Sequence, residues 1–82
     1  MEEAYVLLKI SRDVYVRGVV NECRELAEVG EAEILFGEYD AMLKVRGDRI
    51  HDLENLVVDR ISRIPGVEAT ITMVCVPEEV LK

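Results

Sequence analysis

Residues 29–46 read VGEAEILFGEYDAMLKVR. The stretch divides into two strand-like runs, Glu31 to Phe36 and Asp40 to Arg46. The polar segment Gly37-Glu38-Tyr39-Asp40 joins them, with the length and composition of a hairpin loop. Upstream, residues Asp13 to about Ala27 place Val16, Val19, Val20, Cys23, Leu26 and Ala27 at the spacing of one helix face. Ser11 or Asp13 is positioned to cap that helix, and Gly30 lies just past its end, where a left-handed residue is often needed. Before it, Glu3 to Ile10 is β-rich. Downstream, Asp48 is placed to cap a second amphipathic helix whose inner face is Ile50, Leu53, Leu56, Val57, Ile61 and Ile64. Pro65-Gly66 stops it. Val67 to Val76 is the last strand, Pro77 ends it, and Glu78 to Lys82 reads as a frayed polar tail. The order is β-α-β-β-α-β. With right-handed crossovers and one hairpin, this predicts an α+β ferredoxin-like sandwich, a four-stranded antiparallel sheet with two helices on one face.

The chain has 82 residues, 17 acidic and 10 basic, for a formal charge of −7. That length allows one small domain, with a core from about residue 4 to 76. Half the residues are apolar, too many for a disordered acidic tail. Lys9, Arg17 and Lys44 interrupt every run that approaches the ~18 residues of a membrane span. Met1-Glu2-Glu3 does not open a signal peptide, so the expected location is cytoplasmic. The acidic balance argues against direct contact with nucleic acid, which needs a basic face. Cys23 and Cys75 have fifty-one residues between them, which suits neither a disulfide framework nor a metal site. They read as small apolar residues in a reducing compartment.

Side chains alternate between the two faces of a sheet. Giving the helices the more apolar set assigns them Ala4, Val6, Leu8 and Ile10; Ala32, Ile34 and Phe36; Ala41, Leu43 and Val45; and Val67, Ala69, Ile71, Met73 and Cys75. The opposite face then carries Tyr5, Leu7, Leu35, Met42, Val74 and Val76. At about 25 cal/mol per Å² of apolar area, leaving such a patch wet forfeits several kcal/mol. The expectation is a two-fold dimer packed sheet to sheet through those six residues.

The residue inventory argues against an enzyme. The sole histidine, His51, falls in the first turn of the second helix, on an exposed face. Ser11 and Ser62 lie in no nucleophile motif, and no glycine-rich phosphate loop is present. No metal and no cofactor is expected. Other users of this topology leave marks that are missing here. An RNA-recognition module stacks bases on strand aromatics, whereas the corresponding strand is Ala41-Met42-Leu43-Lys44-Val45. A metal chaperone needs paired cysteines near Ser11-Arg12-Asp13.

Three segments together resemble one family. Gly37, Tyr39 and Asp40 match a Gly-x-Tyr-Asp turn opening an apolar strand. Ala4 to Ile10 looks like the same family's first strand. Ile64-Pro65-Gly66-Val67, followed by Thr70 and Thr72, looks like the start of its last. The chain is thus similar to the effector-binding RAM domain of the Lrp/AsnC feast/famine regulators. There is no room for the family's helix-turn-helix before Ala4, so the resemblance implies a stand-alone domain. It further implies an amino-acid sensor whose dimers assemble into octamer-like rings and which modulates transcription indirectly, including by mixed oligomers with full-length regulators. The effector would bind between dimers beside Gly37, Tyr39 and Asp40. Turn N–H groups would hold its α-carboxylate and Asp40 its α-ammonium, with Tyr39 covering the side chain. Thr70 and Thr72 are carried over on their spacing alone.

Two alternatives stay open. In one, the turn is pure turn chemistry, with Gly37 supplying a positive φ while Asp40 bonds nearby N–H groups. The domain would then be an oligomerising adaptor without a working ligand site. A small dimeric α+β barrel enzyme is the other reading, and would need a polar cavity inside the dimer.

Overall fold

The computed structural model describes residues 1–81. Its elements run β1 (Glu2–Ile10), α1 (Val16–Arg24), β2 (Val29–Ile34), β3 (Ala41–Gly47), α2 (Ile50–Asn55) continuing as a π-helical segment (Leu56–Ile61), and β4 (Val67–Val74). The four strands form one antiparallel sheet in the order β2-β3-β1-β4, the ferredoxin-like arrangement. Residues 78–81, expected to fray, form a 3₁₀ turn. Lys82, the last residue of that tail, lies outside the described residues.

The core sits between the sheet and the helices. Ala4, Val6, Leu8 and Ile10 of β1 and Ala41, Leu43 and Val45 of β3 are buried against Val19, Val20 and Cys23 of α1 and Leu53, Leu56, Val57 and Ile61 of the second helix. Helical periodicity predicts these positions well, because both helices present a narrow stripe to one face. Ile50, expected on the inner stripe, is 45% exposed, and Ala27, past the end of α1, is also exposed.

The helix starts differ from expectation for local reasons. Ser11 donates its N–H to Gly66 O at 2.7 Å, and its hydroxyl accepts from Asp13 N at 3.1 Å. Residues 11–14 are thereby tied to the end of the sheet, and α1 begins only after Tyr15, with no side-chain cap. At the second helix, Asp48 is replaced in its role by Asp52, whose carboxylate accepts from Arg49 N at 3.2 Å. Gly30 lies within β2, and the single positive φ among the described residues belongs to Gly66, at 99°.

The last strand is turned over relative to the apolar-alternation reading. Val6 lies opposite Thr72, Leu8 opposite Thr70 and Ala4 opposite Val74, and directly paired residues share a face. Thr70, Thr72 and Val74 therefore stand on the helix side, while Ala69, Ile71 and Met73 stand with Lys9, Leu7 and Tyr5 on the open face. A register shift opposite Lys9 and Ile10 sets this phase. On β2, Ile34 is 45% exposed and Phe36 lies beyond the strand, fully exposed, so neither enters the core.

Cys23 is fully buried, and burial, reinforced by the charge of Glu22, pushes its thiol up to about 11. At pH 8 roughly one Cys23 thiol in a thousand is then ionised, and the thiolate is the reactive form. In a Cys75→Ser variant, Cys23 is expected to react with a disulfide reagent only at the rate of global unfolding. Rapid modification under native conditions would contradict this packing.

Candidate functional site

Because β1 runs antiparallel to both β3 and β4, three connections meet at one end of the sheet. They are the β1–α1 segment, the β2–β3 turn and the Pro65-Gly66 turn before β4. A cleft of about 770 Å³ opens there, lined by Lys9 to Val14, Val16, Leu35 to Gly37, Asp40 and Glu68. Ile10, Val14, Val16, Leu35 and Phe36 supply apolar surface. Lys9 and Arg12 supply positive charge, and Asp13, Asp40 and Glu68 negative charge.

The β2–β3 turn is built around Asp40. Its N–H donates to Leu8 O and its carbonyl accepts from Leu35 N, each at 2.9 Å. Its carboxylate Oδ2 accepts from Ile10 N at 2.7 Å, in a partly buried position. Asp40 thus clamps the turn to the end of β1 and is also part of the cleft lining. Lys9 Nζ donates to Glu38 O at 2.7 Å and stands 6.0 Å from the Tyr39 ring centre. The N–H groups of residues 36–39 donate to no backbone carbonyl among the described residues. Gly37, expected to need a positive φ, does not have one; the turn is closed by Asp40 instead.

Of the residues the sequence singles out for ligand binding, Gly37 and Asp40 line this cleft. Tyr39 is half-buried beside Lys9 and does not line it. Thr70 and Thr72, opposite Leu8 and Val6, face the helix layer and do not line it either. Leu35, assigned by alternation to the open sheet face, forms part of the cleft wall. The wall contributed by Ser11 to Val14 and Val16, with Phe36 and Glu68, carries no mark in the sequence pattern. Its signal lay in the topology, since the end of β1 and the start of β3 must adjoin.

The open sheet face carries Tyr5 and Leu7 of β1, Met42 and Lys44 of β3, and Ile71 and Met73 of β4, the last two 40% and 48% exposed. Lys44 Nζ lies 5.6 Å from the Tyr5 ring centre. Val74 and Val76 were expected on this face. Val74 stands on the other, opposite Ala4, and Val76 follows the end of β4. Ile71 and Met73 take their place in the apolar patch. No helix among the described residues is long and apolar enough to cross a membrane, and none of their His, Cys, Asp and Glu side chains cluster as a metal site.

A family model described as the Lrp/AsnC ligand binding domain matches residues 3–81. The chain is 33% identical over 73 residues to an uncharacterized HTH-type transcriptional regulator of Pyrococcus abyssi, a match covering 87% of this chain and 49% of that protein. It spans about half the length of the curated relatives it matches. A hypothetical protein from Pyrococcus horikoshii, solved by crystallography, superposes with a TM-score of 0.85 at 30% identity, over 94% of this chain and 92% of that one. A transcriptional regulator from Neisseria meningitidis, solved as a complex with L-Met, shares the fold at 20% identity, with a TM-score of 0.83 over 94% of this chain and 51% of that chain.

Proposed function

The chain belongs to the Lrp/AsnC ligand-binding domain family, and on that premise we propose that it is an amino-acid-sensing regulatory domain without catalysis. The observation that carries the reading is the cleft at the β2–β3 turn. It brings together Asp40, the turn residues Phe36 and Gly37, whose N–H groups donate to no backbone carbonyl among the described residues, and the apolar side chains of Val14, Val16 and Leu35. A zwitterion needs those three things. Asp40 Oδ1 would take the α-ammonium as a charge-assisted hydrogen bond. The N–H groups of Gly37 and its neighbours would take the α-carboxylate. Leu35, Val14 and Val16 would pack the side chain. Tyr39 would act from outside the cleft, holding Lys9 against the turn, and Thr70 and Thr72 would serve the sheet rather than the ligand. The L-Met complex of the Neisseria regulator supports an amino acid as the ligand class.

The same reading pairs two copies through the open sheet face, with Tyr5, Leu7, Met42, Ile71 and Met73 at the centre. It places the domain in the cytoplasm, acting on transcription through regulators of its own family rather than by touching DNA. The charge of −7 favours that division of labour.

A thermal-shift screen against the twenty amino acids at millimolar concentration tests the sensor. A ligand at 100 times its Kd adds about 2.7 kcal/mol, which raises the midpoint of a domain this size by roughly 10–20 °C. A shift for one or a few amino acids is the expected result. No shift for any of them, with the oligomer intact, would turn the reading to the adaptor.

A further inference from the structure

Glu68 is the one residue of β4 with no counterpart in β1. Lys9 lies opposite Ala69 and Ile10 opposite Val67, so the register shift leaves Glu68 as an extra residue in an edge strand. A bulge of this kind re-aims its side chain, and here Glu68 joins the lining of the cleft. Arg12, on the β1–α1 segment, lines the same cleft. Both residues are exposed, and neither has an ion-pair partner among the described residues, each other included. Two cations, Lys9 and Arg12, and three anions, Asp13, Asp40 and Glu68, stand around the cleft. Lys9 is engaged at the turn, where its Nζ donates to Glu38 O. In the effector reading Asp40 takes the α-ammonium. That leaves two charges of each sign around the rest of the cleft.

We propose that Arg12 and Glu68 select the effector's side chain, and that the side chain they select ends in a carboxamide, as in glutamine or asparagine. The inference rests on the effector reading and names the ligand within it. A carboxamide carries an acceptor oxygen and two N–H donors on one uncharged planar group. Its oxygen accepts from the Arg12 guanidinium and its N–H donates to the Glu68 carboxylate, so one group serves two side chains that do not meet each other. Other ends do half of this. A carboxylate gains Arg12 and is repelled by Glu68 and Asp13. An ammonium gains the two acids and is repelled by Arg12. An apolar end that covers the cleft takes charge from water and returns no hydrogen bond. The methylene part of any of these side chains packs on Val14, Val16 and Leu35, so the polar end decides between them.

The test is a thermal-shift titration with glutamine, asparagine, glutamate, lysine and norleucine, run on the wild type, Glu68→Arg and Arg12→Glu. In the wild type, glutamine or asparagine should bind about tenfold more tightly than the other three, the low end for a hydrogen bond to a charged group. Both residues are exposed and unpaired, so neither variant should move the midpoint without ligand. Each should reorder the ligands. Glu68→Arg sets two cations around the side chain and should favour glutamate over glutamine. Arg12→Glu leaves only acids beside it and should favour lysine. A residue that merely held the fold would weaken all five ligands alike. A wild type whose largest shift comes from any amino acid other than glutamine or asparagine would overturn the assignment and keep the sensor. Variants that leave the order of ligands unchanged would do the same. No shift with any amino acid would remove the effector reading, and this inference with it.

Discussion

Gly66→Ala is expected to lower the thermal midpoint by roughly 8–48 °C, from a loss of about 2–6 kcal/mol. Two causes add. The φ of 99° lies where side-chain-bearing residues are strained by about 1–3 kcal/mol. A Cβ built there would also fall 2.4 Å from Val14 Cγ2, too close for any real contact, and relieving such overlap costs about 1–3 kcal/mol. The total is a large share of the ~5–15 kcal/mol that holds a natural domain together. The site matters beyond stability, because Gly66 O accepts the Ser11 N–H and Val14 is part of the cleft wall. A double-mutant cycle with Val14→Ala apportions the two causes. The smaller side chain should return the steric part and leave the backbone strain. A Gly66→Ala protein within 1 kcal/mol of wild type would show that the turn relaxes without cost.

The second large effect belongs to Asp40. Its carboxylate has two jobs in the proposed mechanism, and two substitutions separate them. Asp40→Ala removes the acceptor for Ile10 N and leaves a partly buried donor unpaired, at a cost of about 1.5–3 kcal/mol for a bond to a charged group. A fall of roughly 6–20 °C in midpoint should follow, together with loss of the amino-acid shift. Asp40→Asn keeps an oxygen for Ile10 but cannot neutralise an ammonium. It should retain most of the stability and still lose the ligand response. Wild-type ligand binding by Asp40→Asn would leave the residue as turn chemistry alone.

The element order was legible because the helices and central strands carry unambiguous patterns. Val19, Val20 and Cys23, and Leu53, Leu56, Val57 and Ile61, repeat at helical spacing and all reach the core. In β1 and β3, Val6, Leu8, Leu43 and Val45 are flanked by Lys9, Lys44 and Arg46, which fixes the face. The last strand offered no such contrast. Ile71 and Met73 compete with Thr70, Thr72 and Val74, and the more apolar set looks like the core set. The structure reverses this because β4 is an edge strand whose helix side is only partly covered, while its other side adjoins Tyr5 and Leu7. A register shift of one residue carries every side chain to the opposite face, and no composition rule detects it. Of the candidate cleft, Asp40 was legible from turn chemistry, and Gly37 only from the family resemblance. The rest was hidden where tertiary adjacency supplied it, at Arg12, Val14 and Phe36.

The placement of β1 has a consequence for how the chain is made. Residues 2–10 are made before the other three strands of this sheet, yet they lie inside it, bonded on one side to β3 and on the other to β4. At ~5–20 residues per second, about 3–13 s pass between the synthesis of Ile10 and that of Val74. For that interval an apolar segment, Ala4 to Ile10, waits with at least one unsatisfied edge. β2 and β3 can pair as a local hairpin in the meantime, but the sheet closes only when the C-terminal strand arrives. Until then the edge of β1 that β4 will cover has no partner from its own sheet.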